Sequence, residues 1–269
     1  LTTGLYPLQS GYLGWTQYFK TRKAFINVFP STDKFDHKTK FNPPVQTTEL
    51  KVEYIWNLIN KTYKHNAYRI YTFDYRIGKN FETDYEKFFA DADKLVKSHD
   101  FVYIYTENPD HLLHEHGIES EVVKDNMIYL NNKLEELVKN NPDTLFLLTA
   151  DHGFKNVKEI NIKNFPDFLE TLEYKNYSIE GRFATFFVKN EKKFLELSKK
   201  YFGNDFEIYS KKEIFENNIF GYGTPRENVE YNIGDYTLLA TGDISLYDLD
   251  EPRSYNFMAN HAGITDEET

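Results

Sequence analysis

Three places in this sequence combine carboxylate, imidazole and glycine at spacings that suit a metal ion. The first is Glu107-Asn108-Pro109-Asp110-His111-Leu112-Leu113-His114-Glu115-His116-Gly117. Asp110 and His114 stand four apart, so one helical turn or a compact loop brings a carboxylate oxygen and an imidazole nitrogen to the same ion, a donor pair that suits zinc. The alternative is a polar loop whose Asp caps the next helix while its histidines face water. The second is Thr149-Ala150-Asp151-His152-Gly153-Phe154. Adjacent Asp151 and His152 can diverge to two ions or converge on one, and Gly153 lets the backbone turn sharply. The alternative there is a turn with Asp151 in a local bond and His152 satisfied in the core. The third is His261 in Asn260-His261-Ala262-Gly263, and a lone His is more often a plain surface or core residue than a ligand.

The first two clusters each follow an apolar run, and this fixes what must position them. Leu50, Val52, Tyr54, Ile55, Leu58 and Ile59 fall near helical spacing over Glu49 to Lys64, and Tyr68 to Phe73 then reads as a strand. A helix from Tyr85 through Val96 precedes the run Phe101 to Tyr105, and a helix over Val122 to Val138 precedes Leu145 to Leu148. Strands with few polar interruptions between amphipathic helices indicate a mainly parallel sheet buried between helices, with ligands at the carboxyl ends of its strands. After Lys155 the texture changes to shorter alternations. Strands are expected at Arg182 to Val188 and Phe206 to Tyr209, and helices at Glu191 to Tyr201 and Lys211 to Glu216. The expected organisation is an α/β catalytic core of residues 1–156 and 231–269, with a small α+β cap lobe inserted at 157–230. Tyr236 to Ala240 then returns as a core strand.

Composition limits the functions available. At 269 residues, 40% hydrophobic and 17% aromatic, the chain folds and buries a sizeable core. A formal net charge of -10 argues against gripping a nucleic-acid duplex through a basic face. With no Cys, any metal rests on His and carboxylate ligands. No run approaches the roughly 20 apolar residues that span a bilayer, and no segment resembles a signal peptide, so a soluble, cytoplasmic setting is favoured. The opening Leu1 to Pro7 lacks a polar lead-in, and further sequence is expected ahead of it.

The Pro-Asp-x-x-x-His-x-x-Gly pattern at Pro109 to Gly117, the Ala-Asp-His-Gly at Ala150 to Gly153 and the late His261, followed closely by Gly263, resemble the metal-ligand motifs of nucleotide pyrophosphatases/phosphodiesterases of the alkaline phosphatase superfamily, in that family's order. Thr3-Gly4-Leu5-Tyr6-Pro7 is similar to the segment after the family's nucleophile, and Gly234-Asp235-Tyr236 to the lead-in of a late core strand. The resemblance implies an alkaline-phosphatase-like core and two Zn2+, with Mn2+ as the alternative. Asp110, His114 and His261 would hold one ion, and Asp151 with His152 the other. It also implies a phosphodiester or nucleotide pyrophosphate hydrolase working through a covalent phospho-enzyme.

The chain departs from that pattern in two ways. Gln9 to Trp15 replaces the family's His-Gly and phosphate-contacting Asn, although Tyr12 and Trp15 could stack on a base or ring of the substrate. The nucleophilic Thr or Ser and a further Asp ligand are expected ahead of Leu1, since Thr2 and Thr3 stand too close to Gly4 to match the nucleophile. The rival activities are phosphomonoesterase, phosphonate hydrolase or phosphomutase of the same superfamily, or a non-catalytic metal-binding remnant. The partner is a small phosphate ester or nucleotide, and an unpaired sheet flank would favour association with a second copy.

Overall fold

The computed structural model describes residues 2–77, 82–249 and 256–268. It divides into two compact units, one drawn from residues 3–52 and 152–269 and the other from residues 53–151.

In the 53–151 unit, strands Ala67–Tyr71 and Phe101–Tyr105 pair in parallel, with Ala67 opposite Phe101 and Tyr71 opposite Tyr105. Parallel neighbours need a crossover, and helix Tyr85–Ser98 supplies it. The Asp84 carboxylate accepts the Lys87 amide at 3.0 Å and caps that helix. Phe88 and Ala92, four apart on one face, are fully buried with Ile70. Helices Asp110–His116 and Glu121–Asn140 follow. Two expectations fail in this unit. The helix expected over Glu49 to Lys64 spans only Ile55–Leu58, continues through a π-helical turn, Ile59–Tyr63, and ends at Lys64, whose φ is 56°. Leu50 instead packs with Phe19, Ile26, Val28 and Val45 in the core of the other unit, which removes it from any helix stripe. Leu145 to Leu148 forms no strand. Among the described residues it joins no ladder, and Leu145, Leu147 and Leu148 are 83, 86 and 82% exposed. An apolar run marks a segment that gains from burial, but it cannot supply the neighbour that a ladder requires.

The other unit is built on a seven-stranded antiparallel sheet, in the order Phe206–Ser210, Tyr236–Ala240, Phe183–Phe186, Ser178–Ile179, Thr16–Phe19, Ala24–Asn27, Thr32–Asp33. Strand alternation sends Ala184, Phe186, Leu238 and Ala240 to one face, where Phe168, Phe194 and Phe202 cover them. Phe183 and Leu239 go to the other, against Leu8, Ile214 and Ile233. Helix Glu191–Phe202 brings Phe194 to the centre of the first face, with ring centroids 5.4 Å from Phe168 and Tyr236 and 5.7 Å from Phe186. Ladders in the described residues are therefore mixed, parallel where helices alternate with strands and antiparallel in the largest sheet.

Two short ladders carry the chain from this sheet to its candidate site. Lys158–Asn161 pairs in parallel with Ile244–Tyr247. Lys155–Asn156 pairs antiparallel with Ala259–Asn260, Asn260 opposite Lys155, which sets residues 152–154 beside His261. Gly153 serves this approach rather than the sharp turn expected of it. Its φ is not positive, but a Cβ there would lie 2.0 Å from the Glu267 carbonyl oxygen. Among the described residues no helix is long and apolar enough to cross a membrane.

Two substitutions test this packing. Phe194→Ala should lower the unfolding free energy by about 3–5 kcal/mol, the range for deleting a buried aromatic ring, as read by urea denaturation. Gly153→Ala should cost about 1–3 kcal/mol, because the obstruction is backbone and cannot rotate away. Thermal unfolding of Gly153→Ala at the wild-type midpoint would contradict the close approach.

Candidate metal centre

Within the 53–151 unit, strand Phe101–Tyr105 delivers the chain to a loop that is tied down before the donors begin. Thr106 Oγ1 donates to the Asn108 carbonyl at 2.9 Å, and the Glu107 amide donates to Thr72 Oγ1 at 3.0 Å. The Glu107 carboxylate accepts from Arg76 Nε at 3.0 Å, and Asn108 Nδ2 donates to the Tyr85 hydroxyl at 3.1 Å. Helix Asp110–His116 then starts, and its N-cap position falls on Pro109, so the helix-capping alternative does not account for Asp110. Asp110 and His114 face each other across one turn, with Oδ1 and Nε2 3.7 Å apart. The His114 side chain is 14% exposed, against 62% for His111 and 42% for His116, which separates it from its two neighbours.

The carboxylates of Asp151, Asp110 and Glu107 act on Tyr105. Its hydroxyl is pushed up to about 12, first by burial and then by Asp151 and Asp110. Burial and Asp151 raise Tyr103 in the same direction. Negative charge therefore collects at the carboxyl end of the Phe101–Tyr105 strand, where a cation would relieve it.

In the other unit, His152 and His261 meet. Their rings stack with centroids 3.8 Å apart and planes 19° from parallel, and Phe154 packs against each at 5.2 Å. His152 Nδ1 lies 3.0 Å from the Gly153 carbonyl oxygen. A carbonyl only accepts, so Nδ1 carries the proton in this bond and Nε2 keeps the lone pair that a metal needs. The His261 amide donates to Asn260 Oδ1 at 2.9 Å, while Asn260 Nδ2 donates to Ser245 Oγ at 2.9 Å. Ala262 follows in the left-handed region at φ 76°, an uncommon conformation for a residue with a Cβ.

Sequence reasoning missed the group beneath these histidines. Arg182 and Glu268 are both fully buried and form a two-pronged pair, Nε to Oε1 at 2.5 Å and Nη2 to Oε2 at 2.6 Å. Burial alone would push the Glu268 carboxyl up. Bonds from Arg182, Thr265 and the Gly263 amide outweigh that and hold it below its ordinary value. The available signals were a charged residue opening an apolar strand and the Thr265-x-x-Glu268 spacing, typical of a hydroxyl and a carboxylate that bond to each other. The expected ring-stacking residues lie in the same unit. Trp15 and Tyr12 flank the exposed Phe29, with centroid distances of 5.3 and 6.3 Å.

Among curated proteins no sequence matches this chain. Its structure is similar to that of the murine ectonucleotide pyrophosphatase/phosphodiesterase 5, solved as an inactive variant in complex with AMP, with a TM-score of 0.67 at 16% identity over 99% of this chain and 72% of that one. The human ectonucleotide pyrophosphatase/phosphodiesterase 5 gives 0.66 at 17% identity, with the same coverage. Phosphonoacetate hydrolase from Sinorhizobium meliloti, in complex with phosphonoformate, gives 0.67 at 14% identity over 99% of this chain and 75% of that one. These likenesses establish the fold as α/β and alkaline-phosphatase-like. The sequence profile of the type I phosphodiesterase/nucleotide pyrophosphatase family matches residues 1–261, and the chain belongs to that family.

Proposed function

We propose that this chain forms the metal-binding body of a hydrolase of phosphodiester or nucleotide pyrophosphate bonds. Asp110, His114 and His261 would hold one zinc ion, and Asp151 with His152 a second. The observation that carries this reading is the pair of stacked imidazoles, His152 and His261, brought together from distant parts of the sequence with one His152 nitrogen bonded to a carbonyl. Histidine and carboxylate donors without thiolate suit zinc, and Mn2+ would also accept them. When bound, the ions would supply charge neutralisation at the phosphoryl oxygens and a lowered pKa at an attacking oxygen.

The chain's own residues do the rest. Asp110 and His114 face each other across one turn of the helix that follows the tied-down loop, while Asn260 orients the backbone of His261. Tyr12 and Trp15 would receive a planar ring of the substrate, by analogy with the AMP bound to the murine relative. In the proposed route a Ser or Thr hydroxyl gives up its proton, attacks phosphorus and displaces the alcohol or phosphate leaving group, and water then cleaves the enzyme O–P bond, freeing the hydroxyl and a phosphate monoester. Thr2 and Thr3 are not assigned that role, and Thr3 Oγ1 already accepts the Leu5 amide at 3.2 Å. The likeness to phosphonoacetate hydrolase supports a second reading, hydrolysis of a monoester or phosphonate. Turnover of a diester and a monoester measured side by side separates the two.

A form of the protein that includes the nucleophilic Ser or Thr should cleave bis(p-nitrophenyl) phosphate, lose that activity to a chelator and regain it with zinc. Activity that survives exhaustive chelation would sink the metal-dependent reading. His114→Ala should lower turnover by about tenfold to a hundredfold or more, the scale on which disturbed metal surroundings are felt, while His111→Ala and His116→Ala stay near wild type. Equal losses in all three variants would remove His114 from the ligand set.

A further inference from the structure

We propose that Arg182 and Glu268 are positioning residues of the metal centre, holding the His152 and His261 loops in the one arrangement that presents both imidazoles. Glu268 reaches both loops. Its side chain accepts the Gly263 amide at 2.8 Å and the Thr265 hydroxyl at 2.7 Å, which fixes the turn after His261. Its main-chain carbonyl accepts the Gly153 amide at 3.2 Å, which fixes the segment that follows His152. Arg182 anchors the carboxylate from the sheet. Besides its two bonds to Glu268, it gives Nη1 to the carbonyls of Gly242 and Ile244, at 3.1 and 2.9 Å, and Nη2 to Gly242 at 3.1 Å. Five N–H groups thus meet acceptors, and a guanidinium has five to give. A Cβ on Gly263 would lie 2.5 Å from Glu268 Oε2 and 2.7 Å from Arg182 Nη2, so the turn after His261 is moulded on the pair. Arg182 and Glu268 act through the backbone of the segments that carry the histidines.

The inference rests on His152 and His261 being metal ligands, and the experiment separates the two ideas. Zinc affinity and the visible spectrum of bound Co2+ are measured for the wild type, His152→Ala, His261→Ala, Glu268→Gln and Asp248→Asn. Asp248 pairs with Lys34 in the same unit, so its variant reports the effect of losing a buried ion pair elsewhere. Glu268→Gln should weaken zinc by about tenfold to a hundredfold, the range for residues that orient ligands, and should alter the Co2+ spectrum. Asp248→Asn should lower the melting temperature and leave zinc affinity and spectrum unchanged. Unchanged affinity in folded Glu268→Gln, or equal weakening in Asp248→Asn, would overturn the positioning role while His152→Ala and His261→Ala still lose zinc. A wild type that binds no zinc, or histidine variants that bind it as well as wild type, would overturn the ligand reading itself. If Glu268→Gln does not fold, Thr265→Val removes one bond to the same carboxylate. It should weaken zinc less but in the same direction, and unchanged affinity there also overturns the proposal.

Discussion

The buried pair Arg182–Glu268 is the constraint on which the unit that carries His152 and His261 depends. Moving two charges out of water costs several kcal/mol per ion, and their mutual attraction offsets this only when every remaining donor and acceptor is met. That condition holds here. The guanidinium is saturated by one carboxylate and two carbonyls, and the carboxylate also takes an amide and a hydroxyl. Removing either member would leave an uncompensated buried charge, a loss of about 3–5 kcal/mol. The segment from His261 to Glu268 is also held by the Ile264 amide on the Ala240 carbonyl at 3.0 Å, by Lys155 on the Glu267 carboxylate at 3.2 Å and by Ala262 packed on the core. Ala262 keeps its left-handed backbone because the bonds on either side leave it no alternative.

The sheet makes such a pair possible. Arg182 precedes strand Phe183–Phe186, and its carbonyl accepts the Ala240 amide at 2.8 Å, so its backbone is fixed by the ladder although its side chain lies at the sheet's end. There the Tyr236–Ala240 strand has finished and the chain bends through Thr241 to Asp243 before strand Ile244–Tyr247, which brings the Gly242 and Ile244 carbonyls to the guanidinium. A guanidinium placed among those carbonyls satisfies groups that burial would otherwise orphan. Aromatic packing on both faces supplies the rigidity. Phe194, Phe186 and Phe168 hold one face and Phe183 with Phe220 the other, so the residue between them has little freedom to move.

How much of this was legible in the sequence follows from what each feature depends on. Helix Tyr85–Ser98 and strand Phe101–Tyr105 could be read because their periodicities are local and their caps lie nearby. The same holds for helices Glu191–Phe202 and Lys211–Glu216, and for the Asp110 and His114 spacing, which one helical turn dictates. Leu145 to Leu148 was misread because a strand is a relation between segments, and composition describes only one of them. Leu50 was misread because a distant core claims it. The need for Gly153 was visible while its reason was not, since the reason is the Glu267 carbonyl, more than a hundred residues away. Arg182 and Glu268 escaped for that cause too. Each alone looks like an ordinary surface charge, and only the fold makes them a pair.

A second buried ion pair shows why the residue types are not interchangeable. Lys34 gives its ammonium to Asp248 and to the Tyr177 carbonyl at 2.7 Å, and its charge lies 4.2 Å from the centre of the Tyr177 ring. Three donors suit that compact site, although burial still draws the Lys34 ammonium below its ordinary value. Asp248 also accepts the Tyr177 amide at 3.1 Å, so this pair pins one short segment against another. At Arg182 the acceptors are spread over Gly242, Ile244 and both oxygens of Glu268, a span that a single ammonium cannot cover. Lysine there would leave carbonyls unmet and would hold the carboxylate at one point, free to pivot. The planar fork removes that freedom. Glu268 then holds the turn after His261 through its side chain and the segment after His152 through its main-chain carbonyl.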